Sequence, residues 1–226
     1  MFIGHLAVGL SAKRLAPRTS LGTLMAAALM LDLLWPLFLL LGLEQVRIDP
    51  GNTAFTPLNF VRYPLTHSLA MALVWSALSG LVYRARTQYA AGAWCVGAGV
   101  FSHWVLDFVT HRPDLQLYPG SAVRVGLGLW NSVAGTLVVE GLLFVAGLWV
   151  YLATTRAKDR TGTLALWSFV AVMITLYVAN AIGPPPPNEQ ALATVGLLMW
   201  LFVTWVYWID RHREIRGRES ATMRRV

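Results

Sequence analysis

The chain has 226 residues, 56% of them hydrophobic and 13% charged, with a mean hydropathy of +0.56. A soluble domain of this length carries about twice that share of charge, so a water-soluble globular class is excluded. The net charge of +7 does not point to nucleic acid, because the Lys and Arg residues sit at the ends of apolar runs and not on one amphipathic face. The apolar runs are continuous and do not alternate, which excludes a membrane β-barrel. The expected class is all-α: a polytopic helical membrane protein in a lipid bilayer. Cys95 is the only cysteine, so no disulfide forms within the chain.

Met1-Phe2-Ile3-Gly4-His5 lacks a charged leader and no cleavage site follows, so no removable signal peptide is expected. Residues 1–16 are apolar but too few to cross a bilayer. They are read as a short re-entrant helix buried among the others, with His5 pointing inward. The first full span covers about 20–43, capped by Thr19 or Ser20. Asp32 lies in its middle and Pro36 is expected to kink it just afterwards. Residues 44–63 read as a polar loop. The second span covers about 64–83, with Pro64 in its first turn and His67 and Ser68 directly after. The third, about 88–111, is rich in Gly and Ala early, which favours close packing, and Pro113 stops it. A loop at 112–123 follows. The fourth span, about 125–153, opens on Gly128-Leu129-Trp130-Asn131 and holds Glu140. The fifth covers about 162–182 and the sixth about 190–209, joined by the stiff run Pro184-Pro185-Pro186-Pro187. One domain thus covers 1–210, with a basic tail over 211–226 that is expected to be disordered past Arg216.

Orientation follows from the basic residues. With the N-terminus inside, fourteen of the 18 Lys and Arg fall on cytoplasmic segments, and only Arg47, Arg62, Arg112 and Arg124 fall outside. Six spans, both termini cytoplasmic and a site towards the outer face are therefore expected.

His103, Asp107 and His111 are spaced four and four. On a helix this places them on one face. Imidazole, carboxylate and imidazole on one stripe are ligands for a transition metal. A depth estimate of ~1.5 Å per residue puts Asp32, His103 and Glu140 at roughly 20–22 Å, His67 at ~25 Å and Asp107 at ~28 Å. Asn131 and His111 come out at ~34–36 Å and His5 at ~12 Å. Ionisable residues at one membrane depth are costly unless they meet. Asp32, His67, His103 and Asp107 are therefore expected around one cavity. His5 also reads as a cap, Glu140 as a helix-packing carboxylate, Asn131 as structural and Asp114 as a turn cap. The inventory exceeds what one zinc takes, and a carboxylate such as Asp107 can bridge two ions. Such a pair activates water and clamps an ester or phosphoryl group. Arg62, Arg112 or Arg124 is placed to hold a phosphate.

Gly4-His5, Leu31-Asp32, Thr66-His67-Ser68, Ser102-His103 with Asp107, and Gly128-Leu129-Trp130-Asn131 resemble the YdjM-like family of predicted inner-membrane, metal-dependent hydrolases. The resemblance covers about residues 1–145. That family is similar to the zinc-dependent phospholipase C and single-strand nuclease superfamily. The resemblance implies His5, Asp32, His67, His103, Asp107 and His111 as metal ligands. Glu140 stands for the last Glu of that ligand pattern, and Asp32, Asp107 and Glu140 are expected as the catalytic carboxylates. The resemblance departs at Thr136, where a His would precede Glu140 by four residues, and at the N-terminus, where the superfamily has Trp. One or two divalent ions are therefore expected, zinc first, with manganese or iron as alternatives. The expected activity is hydrolysis of a phosphoester or lipid-like substrate. The competing readings are an ion- or proton-coupled transporter and a non-catalytic membrane protein with a structural metal.

Overall fold

The structure is a computed structural model, and residues 1–217 are described here. It opens with α1 (Ile3–Leu15), 13 residues whose inner face, including His5, is buried. At ~1.5 Å per residue α1 is roughly 20 Å long, short of a bilayer core. It packs mainly against α2 (Leu21–Ala28) and a later helix described below. The Ser20 side chain caps α2 by accepting from the Thr23 N–H at 3.1 Å, as the sequence suggests.

After Leu29 the chain continues as α3 (Met30–Leu40). The α2–α3 pair is bent by 57°. The kink expected after Pro36 thus appears at Leu29 instead, ahead of Asp32. Pro36 sits inside α3. The polar loop that follows contains a small antiparallel hairpin, β1 (Gln45–Ile48) with β2 (Leu58–Arg62), in register Val46 to Phe60 and Ile48 to Leu58.

The second expected span is divided. A single turn, α4 (Pro64–His67), ends at Ser68, whose extended backbone starts α5 (Leu69–Thr87). The Ser68 hydroxyl donates back to the Pro64 carbonyl at 2.6 Å and accepts from the Met71 N–H at 3.4 Å. Next come α6 (Ala90–Thr110), a two-residue ladder of β3 (Leu115–Gln116) with β4 (Arg124–Val125), and a 3-10 turn at Leu129–Asn131. The helix α7 (Val133–Thr154) is capped by Ser132. It lies so close to α1 that a Cβ on Gly147 would stand 2.6 Å from the Ala7 Cα, a contact only glycine permits.

The chain then forms β5 (Thr155–Ala157), α8 (Arg160–Ile182), α9 (Glu189–Gly196), α10 (Met199–Arg211) and β6 (Arg213–Ile215). The last strand pairs antiparallel with β5, so the basic tail is packed at its start, with Arg213 buried. The tail beyond Gly217, where disorder is expected, lies outside the described residues.

Among the described residues four helices are long and apolar enough to cross a membrane: α6, α7, α8 and the run Glu189–Arg211 that holds α9 and α10. The bent α2–α3 pair makes five if it is one span. Six spans are expected from sequence. The remaining stretch, α5, carries Arg84 and Arg86 in its last turn and falls outside that set.

Candidate metal centre

The break at Leu29 builds one side of the centre. In a continuous helix the Ala28 carbonyl would accept from the N–H of residue 32. Here it accepts from His103 Nδ1 at 2.8 Å. The same break places Asp32 in the first turn of α3, where the positive end of the helix dipole favours a carboxylate. On α6, His103 and Asp107 share one face, and both are buried. His67 reaches the same point from the end of α4, and His5 from the first turn of α1.

The distances are short and mutual. His103 Nε2 lies 3.3 Å from Asp107 Oδ2 and 3.5 Å from Asp32 Oδ1. His67 Nε2 lies 3.5 Å from each of the same two oxygens. His5 Nε2 lies 3.1 Å from Asp107 Oδ1, and its ring stacks on His103 with centroids 3.6 Å apart. The Met1 amino group is 2.5 Å from Asp107 Oδ1. Two triads each have ligand atoms within 4.8 Å of one another: His5, His103 and Asp107, and Asp32, His67 and His103.

Tautomers follow from the partners. A carbonyl only accepts, so His103 Nδ1 carries the proton donated to Ala28. The single hydroxyl proton of Thr66 goes to Glu44 Oε2 at 2.7 Å, so towards His67 Nδ1, at 2.6 Å, Thr66 accepts. When neutral, both rings present an Nε2 lone pair to carboxylate oxygens, where a proton or a metal ion would be received. His103 Nε2 has no hydrogen-bond partner although it is buried. Lone pair facing lone pair in a buried site is unfavourable unless a cation lies between them. Ligand atoms ~2.0–2.1 Å from a tetrahedral zinc stand about 3.3 Å apart. The 3.3 Å and 3.5 Å separations match that spacing. The residues present fit a divalent transition metal.

Glu44 and Thr66 support His67 in the way a carboxylate supports a metal-bound imidazole. Glu44 is only 2% exposed and also accepts from the Leu65 and Thr66 N–H groups, each at 2.8 Å. Sequence reasoning misses Glu44, because it falls in the polar loop where an acid is unremarkable. Only its burial reveals it.

His111 is not on the His103–Asp107 stripe. The last helical bond, from the His111 N–H to the Asp107 carbonyl at 2.7 Å, closes α6. The His111 backbone then turns extended and its carbonyl accepts from Gly128. Its Nδ1 meets Asp114 Oδ1 at 3.0 Å and the Tyr63 hydroxyl at 3.2 Å, and its ring packs against Phe60 and Trp130. It belongs to neither triad. Tyr63 also hydrogen-bonds Asp114. Burial, then the adjacent Asp114 carboxylate, holds the Tyr63 phenol well above its usual range, so it acts as a neutral donor.

Glu140 plays a different part from the triads. Its Oε2 accepts from the Phe2 and Gly4 N–H groups at 2.8 Å and 3.2 Å, satisfying the start of α1. Its Oε1 is buried without a partner. The arginines considered for phosphate are engaged elsewhere. Arg62 donates to the Leu43 carbonyl, Arg112 to Asn59 and Arg124 to the Asp114 carbonyl.

A cavity of about 380 Å³ adjoins the centre. Asp32, His67, Asp107, His111 and Glu140 line one end of it, and His103 lies behind them. The remaining walls are mostly apolar and aromatic.

The sequence model of the family described as YdjM inner membrane protein matches residues 1–183. No curated protein and no solved structure matches the chain.

Proposed function

The chain belongs to the YdjM inner membrane protein family, and we propose that it is a metal-dependent hydrolase of an ester or phosphoester, working within the bilayer. The observation that carries this reading is the pair of imidazole Nε2 atoms, on His67 and His103, that converge with the carboxylates of Asp32 and Asp107 beside an open cavity. A structural metal would be closed off by its ligands. Here Asp32 retains a side-chain exposure of 25% and three of the groups face free space.

His5, Asp32, His67, His103 and Asp107 would hold one or two ions, zinc being the first candidate. When bound, the metal supplies Lewis-acid activation of water at neutral pH. The chain's own groups do the rest. His103 is common to both triads, and Asp107 turns Oδ1 to His5 and Oδ2 to His67 and His103. Ala28 and the Thr66–Glu44 pair fix the imidazole tautomers. The free Oε1 of Glu140 is placed to accept a proton from water in the cavity. His111, oriented by Asp114 and lining the same cavity, would return one to a leaving oxygen.

In this reading α5 also crosses, α1 is re-entrant, both termini are cytoplasmic and the centre lies in the outer half of the bilayer. The fourteen-to-four partition of Lys and Arg supports that orientation. A proton relay would need ionisable groups along the whole bundle, whereas α8 has none after Arg160.

Elemental analysis of purified protein tests the metal, and release of alcohol or phosphate from ester substrates tests the reaction. Stoichiometric transition metal in the wild type, lost in His103→Ala, is expected. Equal, sub-stoichiometric metal in both would sink the reading.

A further inference from the structure

The cavity does not end at the metal-ligating groups. Its far wall is built by α9 and α10, through Leu192, Val195, Leu198, Met199 and Phe202. These residues lie beyond the segment matched by the family. The nearer walls are aromatic, with Trp35, Phe60 and Trp130. A chamber with metal-ligating groups at one end and apolar walls elsewhere suits a ligand that has a polar head and an apolar body. A small hydrophilic phosphoester would leave those walls without a partner.

The backbone at this wall is also unusual. Between α9 and α10 the hydrogen bonding tightens to three-residue steps. Leu198 donates to the Val195 carbonyl at 2.9 Å, Trp200 to Leu197 at 3.2 Å and Leu201 to Leu198 at 2.9 Å. Such tightening inside a span marks a break with a specific use. Gly196 sits at the break, so close to α3 that a Cβ would lie 2.7 Å from Pro36 Cγ. Val195 and Leu198 line the chamber and yet are 63% and 51% exposed. They belong to a run long and apolar enough to cross a membrane. The chamber therefore opens past them on an apolar flank, where lipid tails lie, and not only towards water.

We infer that this chamber takes the aliphatic chain of an amphiphile drawn from the bilayer, whose oxyanion head would meet the metal that Asp32, His67 and Asp107 would hold. The α9–α10 break forms the lateral opening. The inference rests on the hydrolase reading for the role of the head, and it names the substrate class: an ester or phosphoester bearing a long aliphatic chain.

The test uses the full chain in nanodiscs of phosphatidylcholine. The probe is dodecyl phosphate carrying a diazirine at the chain terminus. After irradiation, adducts are mapped by peptide mass spectrometry, and metal content is measured on the same sample. Adducts are expected on the 192–202 segment and on Trp35. Excess unlabelled dodecyl phosphate should remove them, whereas ethyl phosphate, which lacks the chain, and dodecyl maltoside, which lacks the oxyanion, should not. Leu192→Trp, filling the chamber, and Val195→Trp, narrowing its mouth, should each abolish the competed adducts. Adducts scattered over lipid-facing residues, unaffected by competitor, would overturn the inference in the wild type alone, whether or not either variant folds. Metal present without competed adducts leaves the hydrolase reading standing and removes the chain site. Adducts without metal, removed by dodecyl maltoside as well as by dodecyl phosphate, keep the chain chamber and remove the hydrolase reading together with the placing of the head.

Discussion

Two buried ionic clusters lie along α1, roughly 12 Å apart at ~1.5 Å per residue, and they differ in how completely they are satisfied. Towards the C-terminal end of α1, Lys13 donates to the Thr19 carbonyl at 2.9 Å and pairs with Asp210 at 2.8 Å. Asp210 also accepts from the Leu21 N–H at 3.0 Å. One cation meets one anion, and the remaining oxygen valence is filled by backbone. The cluster staples α1, α2 and α10 and needs nothing more. Towards the N-terminal end, five residues from four elements supply two carboxylates and three imidazoles, with the His67 and His103 Nε2 atoms turned inward and the Met1 amino group as the cation on Asp107 Oδ1. That cluster has surplus acceptors. The contrast separates a structural ion pair from a ligand set: the first closes its own hydrogen-bond inventory, and the second leaves a gap of one cation.

Mutations can break this contrast. The largest effect is expected from Asp107→Asn, which removes the carboxylate charge that faces His5, His67 and His103. Bound transition metal should fall below detection by elemental analysis, while the protein remains folded. Lys13→Met should do the opposite. Breaking a largely buried pair strands Asp210 and should cost about 3 kcal/mol in thermal or denaturant unfolding. Metal per folded molecule should not change, and a parallel loss of metal would show that the two clusters are one. Thr66→Val removes only the hydroxyl between Glu44 and His67. Weakening of metal affinity by roughly 10–100-fold is expected, read by competition with a chelator. An unchanged affinity would mean that Glu44 serves the backbone of α4 alone. The smallest effect is expected at a half-exposed pair, Arg156 with Glu214 at 2.8 Å. Glu214→Gln should shift stability by less than about 0.5 kcal/mol.

Hydropathy alone makes the membrane class legible, because runs of this length and polarity have no other use. The four-residue spacing of His103 and Asp107 is equally legible, since α6 is long and regular enough to keep it. The same spacing misleads at His111. The helix stops at Thr110, before Pro113, and the carbonyl of His111 pairs with Gly128, so periodicity no longer says where that ring points. Glu44 is invisible for another reason. An acid in a polar loop looks solvated until the fold buries it under Thr66. The strand β6 hides in what reads as a basic tail, because its partner β5 lies more than fifty residues earlier.

By itself, then, the sequence determined that this is a helical membrane protein with ionisable residues too costly to leave apart. It also determined that His103 and Asp107 share a helix face. Tertiary structure decided the rest. The bend at Leu29 releases the Ala28 carbonyl to orient His103 and sets Asp32 at a helix start. The break at Ser68 brings His67 in from a separate turn. Breaks of this kind cost backbone hydrogen bonds, so local propensity does not announce them. They persist because side chains from distant helices restore those bonds, and that compensation exists only once the bundle is assembled.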